Sequence, residues 1–317
     1  MLVADAGRGM PWAAASKQLL GLEDLDATTT VVPVEGADAG MVGMAFDYRL
    51  RYHLGPCRGE DLVAFTGARV LGGLNPNWYP ALEQFFFNLA GLTAGRGLAG
   101  KTLDDRHEQL LAAYCVVLAQ LESVYRTGGR WVPQPPLSTP HVLTPEDEPL
   151  LALAPPAAVE DVVKLSRSAS AAFGQLIEPV ASGDLTYDAN PNFAGSVDIG
   201  GADADFIIGD TIFELKTTKS FTAAAIREAL LQLLGYVLLD YDDDHEIRRV
   251  GVYFARQEWV AAWPLWLLMF PPAEVARLSA AGLEPSDRDV TDRLAKLRTL
   301  MNRAVKGETI DLAQAFS

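Results

Sequence analysis

One segment constrains this chain more than any other: Gly201-Ala-Asp203-Ala-Asp205-Phe-Ile-Ile-Gly209-Asp210-Thr-Ile-Phe-Glu214-Leu-Lys216-Thr-Thr-Lys219. Glycine at the first position of a two-residue loop suits a type II′ turn, whose twist matches that of paired strands. Phe206, Ile207 and Ile208 precede the loop; Thr211, Ile212 and Phe213 follow it. All six are good strand formers. A loop of two residues sets the register by counting. Ile208 faces Thr211, Ile207 faces Ile212 and Phe206 faces Phe213. Continued outward, Asp205 faces Glu214 and Asp203 faces Lys216. Side chains alternate along a strand, so Asp203, Asp205, Glu214 and Lys216 are expected on one face.

That face has a chemical consequence. Directly opposed residues hold their Cβ atoms about 4.5–5.5 Å apart, and like charges so placed repel. A hard divalent cation compensates, because Mg²⁺ takes oxygen ligands and is held by one or two carboxylates plus waters and phosphate. Lys216 adds a point charge two residues beyond Glu214. It can orient or deprotonate an attacking water, or offset charge building on a phosphate. The plainer reading is a solvated hairpin face with an ordinary Asp203–Lys216 pair.

A helix is expected from about Thr222 to Leu239, with Ile226, Leu230, Leu233 and Val237 as its core stripe. Glu228, Gln232 and Tyr236 recur at spacing four on another face. An amide and a phenol one turn apart can both hydrogen-bond a phosphate. They also suit a simple surface pair.

At these residues the sequence resembles the RecB-type branch of the PD-(D/E)xK nuclease superfamily. The matching positions are Asp205, then Glu214-Leu-Lys216, then Gln232-Leu-Leu-Gly-Tyr236. The resemblance spans roughly residues 175–265. It implies an α/β fold with a mixed central sheet flanked by helices, the restriction-endonuclease-like core. It further implies that Asp205, Glu214 and the Leu215 carbonyl bind Mg²⁺ or Mn²⁺. Lys216 would serve the water, and Gln232 and Tyr236 would position the substrate. The expected activity is metal-dependent hydrolysis of DNA phosphodiester bonds, in repair or in defence against foreign DNA. The alternative is a non-catalytic relative that holds DNA or a protein. The branch also carries a His or Glu after a glycine on an upstream helix. Gly43-x-x-x-Asp47 and Gly174-x-x-x-Glu178 each offer an acid, and the sequence does not choose between them.

Elsewhere the pattern is helical first and α/β later. Helices are expected over Met41–Leu54, Pro80–Leu92, Leu103–Tyr125 and Ala157–Ile177, with a short helical piece near Pro11–Leu22. Residues 93–101 read as a Gly-rich turn and 127–156 as a Pro-rich connector. After Pro179, short strands are expected up to Thr218, then strands over Val250–Arg256 and Trp259–Trp263. An amphipathic helix opens at Pro271-Pro272, and a last one runs from Asp289 to Val305. The expected organisation is a helical part, 1–156, packed as one unit with a nuclease-like part, 157–317.

Charge argues against a broad duplex-binding surface. The chain has 26 basic and 41 acidic residues, a net charge of −15. Between Leu176 and Glu246 there are 14 acidic residues and three basic ones, Lys216, Lys219 and Arg227. A narrow site admitting a strand or an end, with cation help, fits this better. No ATPase motif is present, so unwinding would need a partner such as a helicase. Cys57 and Cys115 have no metal-ligand spacing, which suits the cytoplasm, and no apolar run is long enough to span a bilayer. His53, His107, His141 and His245 show no ligand spacing and read as surface or helix-face residues. Arg49, Arg51, Arg58, Arg69, Arg248, Arg249 and Arg256 are weak phosphate-contact candidates. Trp259, Trp263 and Trp266 read as core anchors before base-stacking groups.

Overall fold

The computed structural model describes Leu20 and residues 28–94, 98, 100–129 and 150–310. The expected helical piece at 11–22, apart from Leu20, and most of the Pro-rich connector lie outside the described residues, as does His141. The chain is mixed α/β. Its strands are β1 (Tyr187–Asp188), β2 (Phe206–Ile208), β3 (Thr211–Lys216), β4 (Arg249–Phe254) and β5 (Trp259–Pro264), which lie side by side in that order in one mixed sheet. Two compact units divide the contacts. One is Thr29–Ala189 with Lys216–Thr218; the other is Asn190–Leu215 and Lys219–Ser317 with the described part of Met1–Thr28.

The first unit is built on helices α1 (Ala39–Leu54), α2 (Val63–Leu74), α3 (Tyr79–Ala94), α4 (Asp105–Arg126) and α5 (Pro156–Ser182). Capping explains where two of them begin. Asp38 Oδ1 accepts from the Met41 N–H at 2.7 Å, and Asp104 Oδ1 accepts from the His107 N–H at 2.9 Å. Phe46, Leu50 and Leu54, spaced four apart on α1, are buried. Helix α2 was not expected. Its Gly67, Gly72 and Gly73 weaken a helical reading, since glycine disfavours helix interiors by about 1 kcal/mol against alanine. Gly67 is there for close approach: a Cβ on it would stand 1.8 Å from the Leu121 carbonyl oxygen on α4. Helix α5 also runs past its expected end at Ile177, through Pro179 to Ser182. One proline removes a single N–H donor, and the last turn closes beyond it on Gly183 at φ +81°.

The second unit holds the hairpin. Phe206 pairs with Phe213, Ile207 with Ile212 and Ile208 with Thr211, the register that counting expects. The ladder then stops. Asp203 does not face Lys216; it bridges Asn192 instead. Of the short strands expected between Pro179 and Asp205, only β1 forms, and Ala194–Ile199 coils into 3₁₀ turns. Helix α6 (Ala223–Leu239) follows, with Thr222 Oγ1 accepting from the Ala225 N–H at 3.2 Å. Its Ile226, Leu230, Leu233 and Val237 are buried in one cluster with Ile207, Ile212, Val250, Val252 and Phe254. On the other face of the sheet, Phe206 and Phe213 stack at 5.2 Å. Strand β4 ends two residues before Arg256, where Ala255–Gln257 turns and Glu258 takes φ +51°. Helices α7 (Trp266–Met269), α8 (Pro272–Ala280) and α9 (Asp287–Val305) complete the unit. Among the described residues no helix is long and apolar enough to cross a membrane.

Candidate functional site

Alternation decides which carboxylates share a face. Ile207 and Ile212 point into the cluster beneath α6, so Glu214, two positions along β3, leaves the same face. Asp205 sits just outside β2, in a bend, and its Oδ2 accepts the Leu215 N–H at 2.5 Å. Strand β2 has already ended there, so a side chain takes the strand N–H that a backbone carbonyl would otherwise take. The contact ties Asp205 to the residue following Glu214. Glu214 is buried, with 5% of its surface exposed, and Lys216 is half-buried at the end of β3.

Tyr236 completes the arrangement from α6. Gln232 Nε2 donates to Tyr236 Oη at 2.8 Å, so the two four-spaced side chains form the expected pair. The Tyr236 phenol is pushed up to about 12, first by burial, while the Gln232 hydrogen bond pulls it down. Glu214, Asp205 and Asp203 each raise it further, which puts all three carboxylates within electrostatic reach of this phenol. Phe193 stacks on the Tyr236 ring at 5.9 Å, with His245 edge-on to Phe193 at 5.2 Å. Asp205, Glu214 and Asp203 therefore lie within electrostatic reach of the Gln232–Tyr236 pair.

The donor set suits a hard cation. The described residues hold no group of three or more His, Cys, Asp or Glu placed for a metal. The Asp205 and Glu214 carboxylates and the Leu215 carbonyl offer oxygen alone, the donor chemistry that Mg²⁺ takes beside water and phosphate.

The two upstream acids have different surroundings. In the helical unit, Asp47 is gripped by Arg51, with Nη2 at 2.6 Å from Oδ2 and Nε at 3.0 Å. Burial raises the Asp47 carboxyl above its ordinary range, against the pull of Arg51. One turn earlier, Gly43 lies so close to Thr217 that a Cβ would meet its Oγ1 at 3.0 Å. Glu178 is exposed near the end of α5.

Several weaker candidates are corrected. Arg49 is buried in a two-bond pair with Glu108, at 2.8 and 2.7 Å, and Arg51 is spent on Asp47; neither offers a phosphate-contacting surface. Arg248 pairs with Asp243 at 2.6 Å, and Arg256 is only 2% exposed. Arg249 reaches the Ala262 carbonyl within the sheet, and Arg58 pairs at the surface with Asp61 at 2.7 Å; Arg69 remains exposed. His53 is buried, not a surface residue, with Ser170 Oγ 3.3 Å from its Nε2. Trp259 packs against Phe221, Phe254 and Trp263, in keeping with a core role. Phe193 was missed. It lies in an aperiodic Asn- and Gly-rich loop, and no pattern in such a loop marks a ring that stacks on a distant helix.

No protein-family model, curated protein or solved structure matches the chain.

Proposed function

We propose that the chain is a metal-dependent deoxyribonuclease of the RecB type, hydrolysing DNA phosphodiester bonds. The observation that carries this reading is that Asp205 and Glu214 lie within electrostatic reach of Tyr236, which Gln232 holds by a hydrogen bond at 2.8 Å. The succession β2, β3, α6, β4 supports a restriction-endonuclease-like core. Asp205, Glu214 and the Leu215 carbonyl would hold Mg²⁺ or Mn²⁺. When bound, such an ion supplies Lewis-acid polarisation of the phosphodiester and activation of the attacking water. Lys216 offers a cation to orient that water, take its proton, or offset phosphate charge. Tyr236 stays protonated at neutral pH, and its oxygen already accepts from Gln232, so its O–H is available to a phosphate oxygen. The net charge of −15 favours entry of a strand or an end over broad duplex contact, with a helicase or similar partner doing any unwinding. A cytoplasmic role in repair or defence suits this chemistry.

The test is incubation with single-stranded and duplex DNA in Mg²⁺ or Mn²⁺. Cleavage is expected, falling by roughly 10²-fold or more in Glu214→Ala and Lys216→Ala while circular dichroism stays unchanged. DNA left intact by the wild type in both metals overturns the proposal; DNA bound but uncut would point to the non-catalytic relative.

A further inference from the structure

Within the helical unit lies a cavity of about 630 Å³, beside the segment that joins α1 to α2. Tyr52, Cys57, Phe65, Phe86, Leu98 and Val180 make its walls largely apolar. Phe65 and Phe86 meet edge to face at 5.0 Å. The volume suits one small molecule, since ligand pockets run from about 300 to 1,000 Å³. Charge at the mouth is spoken for. Among the described lining residues Arg58 is the one cation, and it is exposed. Asp61 holds it by two hydrogen bonds at 2.7 and 2.9 Å, and Glu60 lies 3.2 Å from it. A ligand carboxylate or phosphate would meet no unpaired cation there. The deeper wall differs. Tyr52 is 2% exposed, and its hydroxyl has no hydrogen-bond partner among the described residues. The Cys57 thiol of the same wall acts on that hydroxyl electrostatically. Burial pushes the thiol up to about 12, so it too is uncharged at neutral pH. A buried hydroxyl left unpaired is costly, and an entering polar group can relieve it.

We propose that this cavity binds one uncharged, largely aromatic molecule that carries a hydrogen-bonding group for Tyr52. Rings suit the walls, because Tyr52, Phe65 and Phe86 favour offset-stacked or edge-on partners. Neutrality follows from both ends of the cavity. The mouth has its cation already paired, and apolar walls would strip a ligand charge of water without replacing it. The residues concerned lie between positions 52 and 181, outside the hairpin and the helix that carry the nuclease reading. The inference therefore does not rest on that reading.

The test titrates the full chain with two fluorescent probes. N-phenyl-1-naphthylamine is uncharged and brightens in apolar surroundings; 1-anilinonaphthalene-8-sulfonate has the same rings plus a sulfonate. The neutral probe is expected to bind once per chain with a Kd below about 100 μM, and the sulfonate at least about tenfold more weakly. Ala90 lines the cavity from α3 and is exposed, so Ala90→Trp fills the mouth without entering the core. This variant is expected to weaken the neutral probe at least about tenfold with its melting temperature retained. Should it not fold, Ala181→Trp, at an exposed lining position on α5, carries the comparison. Tyr52→Phe is expected to weaken the neutral probe by about two- to tenfold, the contribution of one hydrogen bond. A neutral probe that does not bind, that binds no better than the sulfonate, or that binds the filled variant as it binds wild type overturns the site. Unchanged affinity in Tyr52→Phe overturns the hydrogen bond, and with it the class of molecule proposed.

Discussion

Replacing Gly251 by alanine probes how the candidate site is held from behind. Gly251 lies on β4, and a Cβ there would stand 2.4 Å from Phe213 Cε1, 2.5 Å from Cδ1 and 3.1 Å from Cζ. Comfortable carbon contacts are about 3.5–4.0 Å, so the ring must retreat by about 1 Å. Its retreat is blocked, because Phe206 stacks on it at 5.2 Å and both rings are buried. Strand β3 must move instead, and Glu214 is the next residue along it. Overpacking of this kind costs about 1–3 kcal/mol. Removing a strand glycine returns roughly 0.5–1 kcal/mol. The net loss is about 1–2 kcal/mol, a fall of about 2–8 °C in melting temperature for a chain of this size. On the proposed nuclease reading, a shift of the carboxylates by about 1 Å would lower cleavage by up to about 10²-fold. Thermal melting and initial cleavage rates measure both effects. Phe213→Leu in the Gly251→Ala background makes room and is expected to recover most of the lost melting temperature. Melting within about a degree of wild type, or a loss that Phe213→Leu leaves untouched, refutes the reasoning.

Two further predictions concern the helical unit. Gly67→Ala drives a Cβ into the Leu121 carbonyl, which cannot yield as a side chain would; the variant is expected to lose about 2 kcal/mol in urea unfolding. Gly73→Ala on the same helix meets nothing within 4 Å and is expected to gain up to about 1 kcal/mol, so similar effects at both glycines would remove the steric argument. His53 is lowered to about 4 by burial first and by Arg49 second, with Glu108 opposing. The folded chain therefore keeps it neutral, while the unfolded chain takes up a proton once pH falls below about 6.5. Stability is lost as pH drops from about 6.5 to about 4, by about 3 kcal/mol from this group. In melts across that window His53→Asn is expected to decline less steeply than wild type, and an identical slope would exclude His53 as the source.

What the sequence determined by itself was local. A two-residue loop leaves a hairpin a single register, so the pairing of Phe206 with Phe213 followed from counting. Spacing of four along one helix was enough to pair Gln232 with Tyr236. The helix expected from about Thr222 begins at Ala223, one residue on. Only the tertiary structure decided what depends on neighbours remote along the chain. Gly67, which weakens α2 in isolation, is required once Leu121 of α4 arrives beside it. Asp203 turned from Lys216 to Asn192 because the ladder ended at Phe206. Arg49 and Arg51, surface cations by composition, became buried partners of Glu108 and Asp47. Phe193 came to the Tyr236 ring across 43 residues of sequence. The division is physical: turn geometry and helix period act between residues a few bonds apart, whereas burial and charge pairing depend on which distant surfaces meet.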